Sequence, residues 1–146
     1  MRFVNAVEIE CPVGEVFSFL ADFENVPRWN YAIVETRKVS PGPVGVGTTY
    51  RQIRSLPRRS EESFEVSAFE PDRKLAIRGT LGPFASELEY RLEPLPAGTR
   101  VTNEVELRPR GIIGLIGQAG SSKIRDAMAR NLRELKRLLE SGGLGR

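Results

Sequence analysis

The chain predicts an α+β fold: a curved antiparallel β-sheet of six or seven strands wrapped around a long C-terminal α-helix, with two short helices after the first strand. Three observations predict it. Between residues 33 and 108, short stretches of alternating polar and apolar residues follow one another, punctuated by turn residues. That is the pattern of an antiparallel sheet with one wet face. Residues 121–141 form the one long segment with helical periodicity, and its apolar stripe needs a surface to lie on. Consecutive half-polar strands also twist strongly enough to curl around such an object.

The length of 146 residues suits a single domain over residues 1–141, followed by a loose tail at 142–146. No run of about eighteen apolar residues occurs, so no integral membrane contact is expected. The start, MRFVNAVEIEC, carries acids where a signal peptide would be apolar, which makes the cytoplasm the default location. One cysteine, Cys11, excludes an internal disulfide and a cysteine-rich metal site. The absence of histidine excludes Ser-His-Asp triads, HExxH zinc sites and histidine proton shuttles. No metal or cofactor is expected. The net charge of +3 is modest and scattered, so no nucleic-acid partner is expected either. The sequence leaves the oligomeric state open between monomer and homodimer.

In order along the chain, residues 3–11 alternate, with Phe3, Val7, Ile9 and Cys11 on one face against Glu8 and Glu10. Pro12 suits the first position of a helix over residues 13–21, where Val16, Phe17 and Leu20 share a face. DFENVPRWNYA reads as a second short helix or tight turn capped by Asp22. Strands are expected at residues 33–40, where the pattern is mixed, then at 48–56, 62–69, 74–80, 85–95 and 99–108. Inward faces are Tyr50, Gln52 and Arg54; Phe64, Val66 and Ala68; Leu75 and Ile77; Leu88, Tyr90 and Leu92; and Val101, Asn103, Val105 and Leu107. The last helix carries Ile124, Met128, Leu132, Leu135, Leu138 and Leu139 on one stripe, with Ser121 or Ser122 as its cap and Gly142-Gly143 as its stop.

The order strand, two short helices, run of strands and long helix resembles the helix-grip fold of START lipid-transfer domains, the major birch pollen allergen and SRPBCC proteins. Within it the chain is most similar to the bacterial polyketide cyclase/dehydrase-like branch. The matching pieces are Pro12-Val13-Gly14-Glu15-Val16-Phe17, Asp22-Phe23-Glu24-Asn25-Val26-Pro27-Arg28-Trp29, Val44-Gly45-Val46-Gly47-Thr48, Phe69-Glu70-Pro71 and Gly98-Thr99-Arg100-Val101-Thr102. The resemblance implies a deep cavity between sheet and helix that takes an apolar or amphipathic small molecule. It does not imply an enzyme, and a site must be argued from residues.

Tyr50, Gln52, Arg54, Phe64, Tyr90 and Asn103 project from the concave face, as the lining of a small-molecule pocket would. Asn103 lies between Val101 and Val105, and its amide needs a partner: another side chain such as Tyr90 or Tyr50, a water, or a ligand. The two tyrosines could donate to a ligand carbonyl or serve as core residues. Arg54 could hold an oxyanion at the cavity mouth or simply be solvated. For acid–base work the chain offers Glu62 and Glu70, neither read as inward, and no carboxylate pair stands out. Trp29 is expected to plug one end of the sheet, and Cys11 to be a small buried hydrophobe.

Val44-Gly45-Val46-Gly47 precedes a strand rather than a helix, so it is no dinucleotide loop. In GIIGLIGQAG, Ile112, Ile113, Leu115 and Ile116 form an apolar patch between glycines. It reads as a helical lead-in packed on the sheet, a lid over the cavity, or a contact patch. The basic face of the last helix is interrupted by Asp126, Glu134 and Glu140 and reads as solvated. Ile124 and Met128, nearest that glycine-rich entrance, are the helix residues expected to meet a ligand. The leading expectation is a non-catalytic binder or carrier of a hydrophobic small molecule, such as a lipid, isoprenoid or polyketide-like compound. The alternatives are a cyclase/dehydrase-type enzyme in which Arg54 or Tyr90 polarises a carbonyl, and a protein-interaction module without a ligand.

Overall fold

A computed structural model describes residues 1–81, 84–109 and 118–142. Strand β1 (Arg2–Ile9) is followed by helix α1 (Val13–Ala21) and a 3-10 helix (Phe23–Arg28). Strands β2 (Ile33–Lys38), β3 (Thr49–Arg54), β4 (Ser60–Glu70), β5 (Lys74–Leu81), β6 (Phe84–Leu95) and β7 (Gly98–Pro109) then lead to helix α2 (Gln118–Glu140). The strands form one curved antiparallel sheet in the order β1-β7-β6-β5-β4-β3-β2. Sequential strands pair through short turns, and only β1 crosses over, to lie beside β7 with Phe3 facing Val105 and Val7 facing Val101. The expected helix-grip architecture is what the chain adopts.

Local chemistry sets the elements. Pro12 occupies the cap position of α1, one residue earlier than expected, with the φ of −59° that its ring imposes. Asp22 caps the 3-10 helix by accepting from the Glu24 N–H at 3.3 Å. Gly98 is required by close approach, since a β-carbon there would lie 2.1 Å from the Ile9 carbonyl oxygen. Gly142 ends α2 at φ +73°. The helix begins at Gln118, so Ser121 and Ser122 lie within it and neither is its cap.

Two irregularities alter the expected alternation. A register shift between Ile33 and Glu35 explains the mixed pattern of β2. Another, between Val66 and Ala68, moves Ala68 off the inward face and brings Phe69 in, opposite Leu75 and edge-on to Phe17 at 5.3 Å. The expectation for Ala68 was therefore wrong, because one extra residue reverses every side chain beyond it.

The core lies between the concave face and the helices and divides into two clusters. The larger joins Ile9, Val16, Phe17, Leu20, Phe23, Tyr50, Phe64, Val66, Leu75, Leu92 and Val101 to Leu132, Leu135 and Leu139 of α2. The smaller joins Phe3, Phe84, Val105 and Leu107, with Ile124 and Met128 half-buried against them. The outer face is wet and laced with charge. Arg2 pairs with Glu104, Arg91 bridges Glu104 and Glu89 at 3.4 and 2.6 Å, and Lys74 meets Glu89 at 3.2 Å. Trp29, 7% exposed, sits edge-on to Tyr90 at 6.3 Å, and the Cys11 thiol is buried and donates to the Leu139 carbonyl at 3.2 Å.

Candidate functional site

The inward face is largely apolar; beyond single groups such as Thr99, whose hydroxyl donates to the Cys11 carbonyl at 2.8 Å, two lines of polar side chains cross it. The first crosses β1, β7 and β6, where Asn5 faces Asn103 and Asn103 faces Tyr90. The amide nitrogens of Asn5 and Asn103 are sealed from solvent and have no hydrogen-bond partner among the described residues. The line falls at the boundary of the two apolar clusters. Phe3 and Val105 on one side belong to the smaller cluster, and Val7 and Val101 on the other belong with the larger. On α2, Asn131 lies in sequence between Met128 of the smaller cluster and Leu132 of the larger, and its side-chain oxygen is also sealed, with no partner among the described residues. Asn131 is three residues after Met128 and four before Leu135, which places it on the packed stripe of the helix. Buried amides are rarely left unpaired, so three at one boundary mark a place built to receive another polar group.

The second line lies on β2, β3 and β4. Glu62 is 5% exposed and inward, contrary to the expectation for it. Gln52 donates to one of its oxygens at 2.8 Å and the Arg54 Nε to the other at 2.9 Å. Thr36, opposite Gln52, is buried with its hydroxyl unpartnered among the described residues. Arg54 is thus tied to a buried carboxylate, which spends part of its charge and fixes its Nε.

The remaining candidates divide by environment. Tyr50 and Phe64 stack at 5.0 Å, and Phe23 caps both edge-on at 5.1 and 5.5 Å, so their faces meet protein. Burial, with smaller contributions from Asp22 and Glu24, pushes the Tyr50 phenol up to about 12. Burial alone raises the Tyr90 phenol further. Both remain protonated at neutral pH and are available as hydrogen-bond donors rather than as bases. Ile124 and Met128 pack on the smaller cluster while keeping part of their surface free. Ile112, Ile113, Leu115 and Ile116 lie outside the described residues.

Sequence reasoning passed over Asn5 and Asn131, and named Glu62 without reading it as inward. Each carried a signal: Asn5 shares parity with Phe3 and Val7, Glu62 with Phe64, and Asn131 falls on the helical stripe. Grooves of about 590 and 340 Å³ occur on the outer face. There Arg78 pairs with Glu65 and Arg108 with Glu87 and Glu106, so the buried unpartnered groups favour the inward face as the site. No group of metal-ligating side chains occurs among the described residues, and none of their helices is long and apolar enough to cross a membrane.

The fold has many relatives. The structure of TTHA0849 from Thermus thermophilus superposes with a TM-score of 0.80 at 16% identity, covering 97% of this chain and 99% of that one. A START superfamily protein from Mycobacterium smegmatis gives 0.73 at 16% identity over 96% and 94%. The di-domain ARO/CYC StfQ from the steffimycin biosynthetic pathway gives 0.76 at 12% identity, covering 97% of this chain and 51% of that one. At these identities the likeness is one of fold. In sequence, the uncharacterized protein Rv2574 of Mycobacterium tuberculosis (strain ATCC 25618 / H37Rv) is 31% identical over 106 residues, 68% of this chain and 61% of that protein. The chain therefore spans less than two thirds of that relative's length. The family model described as polyketide cyclase/dehydrase and lipid transport matches residues 1–140, and the chain belongs to that family.

Proposed function

We propose that the chain binds a hydrophobic small molecule, of lipid, isoprenoid or polyketide-like chemistry, between the sheet and α2. The observation that carries this reading is the row of buried amides, unpartnered among the described residues, at the boundary of two apolar clusters. A ligand seated there gains from apolar burial and satisfies donors that are otherwise a standing cost. The family's description, which joins lipid transport to cyclase chemistry, supports the same class of ligand. Tyr90 and Asn103 orient the polar end, Ile124 and Met128 form an adaptable wall, and Arg54 lies where a second polar group would emerge. A neutral naphthalene dye tests this: its emission should shift to the blue on binding and reverse when a lipid or polyketide competes. A dye that stays in water-like emission at all protein concentrations overturns the reading.

One observation favours a second reading, an enzyme of the cyclase/dehydrase kind. Tyr90 is a buried, protonated phenol opposite Asn103, an arrangement able to polarise a carbonyl. Arg54 is the weaker candidate because Glu62 already holds it. Loss of turnover with retained affinity in Tyr90→Phe would favour the enzyme, and equal loss of both would favour the binder.

A further inference from the structure

Building on the binder reading, we infer that the deep end of the interior receives an uncharged carbonyl oxygen, so that the chain prefers ligands whose buried end is a ketone, ester or amide over those that would bury an ionised carboxylate. Asn5 and Asn103 stand directly opposite one another in the β1–β7 register. Facing residues of an antiparallel pair lie about 5 Å apart, so one acceptor set between the two side chains is within reach of both amides. Neither nitrogen has a partner among the described residues, and what each can take is an acceptor. Tyr90, next in the row, adds a phenol donor.

The surroundings decide the charge of that acceptor. Along the inward face the neighbours of this row are Phe3, Val7, Val101, Val105, Leu88 and Leu92, and none is charged. On α2 the stripe beside Asn131 holds Met128, Leu132 and Leu135. An ionised carboxylate would meet donors there, and the cation beside Phe3, Arg125 at 5.8 Å from its ring, is exposed and screened by water, so desolvating the carboxylate would outweigh the hydrogen bonds gained. A neutral carbonyl gains the same bonds at far smaller cost. Charge enters the inward face at Glu62 and Arg54, and β3 lies four strand spacings from β7, about 19 Å along the sheet. A ligand with an ionic group therefore carries it at the end away from the asparagines.

The test compares methyl hexyl ketone with octane, which match in length and differ in one oxygen, on wild type and on the double variant Asn5→Leu/Asn103→Leu. The variant is expected to bind the ketone about tenfold more weakly while octane binds as tightly or more tightly. In wild type, the side-chain amide signals of Asn5 and Asn103 in heteronuclear NMR should shift on adding the ketone and stay in place with octane. The NMR arm needs no variant and stands even if the double substitution fails to fold. Equal effects of the variant on both ligands, or amide signals unmoved by a ketone that does bind, would overturn the inference and leave the binder reading standing; the second result means a water or protein group already serves those donors. Failure of wild type to bind either molecule would remove the binder reading and this inference with it.

Discussion

At the residue scale the proposed site rests on buried amides that have no partner among the described residues. An unpartnered buried amide costs about 1–3 kcal/mol, while a leucine, of the same branched shape though bulkier, carries no such polar penalty. Asn103→Leu is therefore expected to raise the stability of the ligand-free protein by about 1 kcal/mol in urea unfolding, opposite in sign to most core substitutions. Arg54 behaves the other way. It pairs with Glu62, whose side chain is 2% exposed, and removing one member of a buried ion pair is costly. Arg54→Ala should cost about 3 kcal/mol, and Arg54→Leu/Glu62→Leu should recover most of it. How much of this was legible depended on residue type. Asn103 stood out because its neighbours are valines. Glu62 shares the parity of Phe64 and Val66, yet its charge argued for the outer face, and the cross-strand donors Gln52 and Arg54 that make burial tolerable become visible only with the register.

At the element scale, α2 is held differently along its length. Leu132, Leu135 and Leu139 are buried in the larger cluster, while Ile124 and Met128 are half-buried on the smaller. Its last turn is clamped to the end of β1. Lys136 donates to the Glu8 carbonyl at 2.6 Å, and Glu140 accepts from the Glu10 N–H at 2.8 Å. Lys136, first, and that backbone N–H hold the Glu140 carboxyl below its ordinary range. A depressed carboxyl contributes stability that is complete above the unfolded value and lost as pH falls through the folded one. Thermal unfolding should show Glu140→Gln less stable than wild type at neutral pH, with the gap closing as pH drops through the carboxylate range. The strands themselves were read well wherever alternation was unbroken, as in β6 and β7. Where a bulge intervenes, as at Val66/Ala68, periodicity continues the wrong face forward because nothing in the residue pattern announces the extra residue.

For the molecule as a whole, the sheet and α2 follow from the same pattern that suggested the family: a long amphipathic helix and strands wet on one side. The division of the core into two clusters was not legible, because it depends on which inward residues share a level across strands and helix. That division is what gives the interior its amphipathic character, apolar on either side of an amide row. The most direct test is native mass spectrometry of the folded protein against a panel of neutral lipids, isoprenoids and polyketide-like ketones. The account predicts a one-to-one complex with at least one carbonyl-bearing member of the panel, weakened in Asn5→Leu/Asn103→Leu. Unliganded protein alone across the whole panel would contradict it.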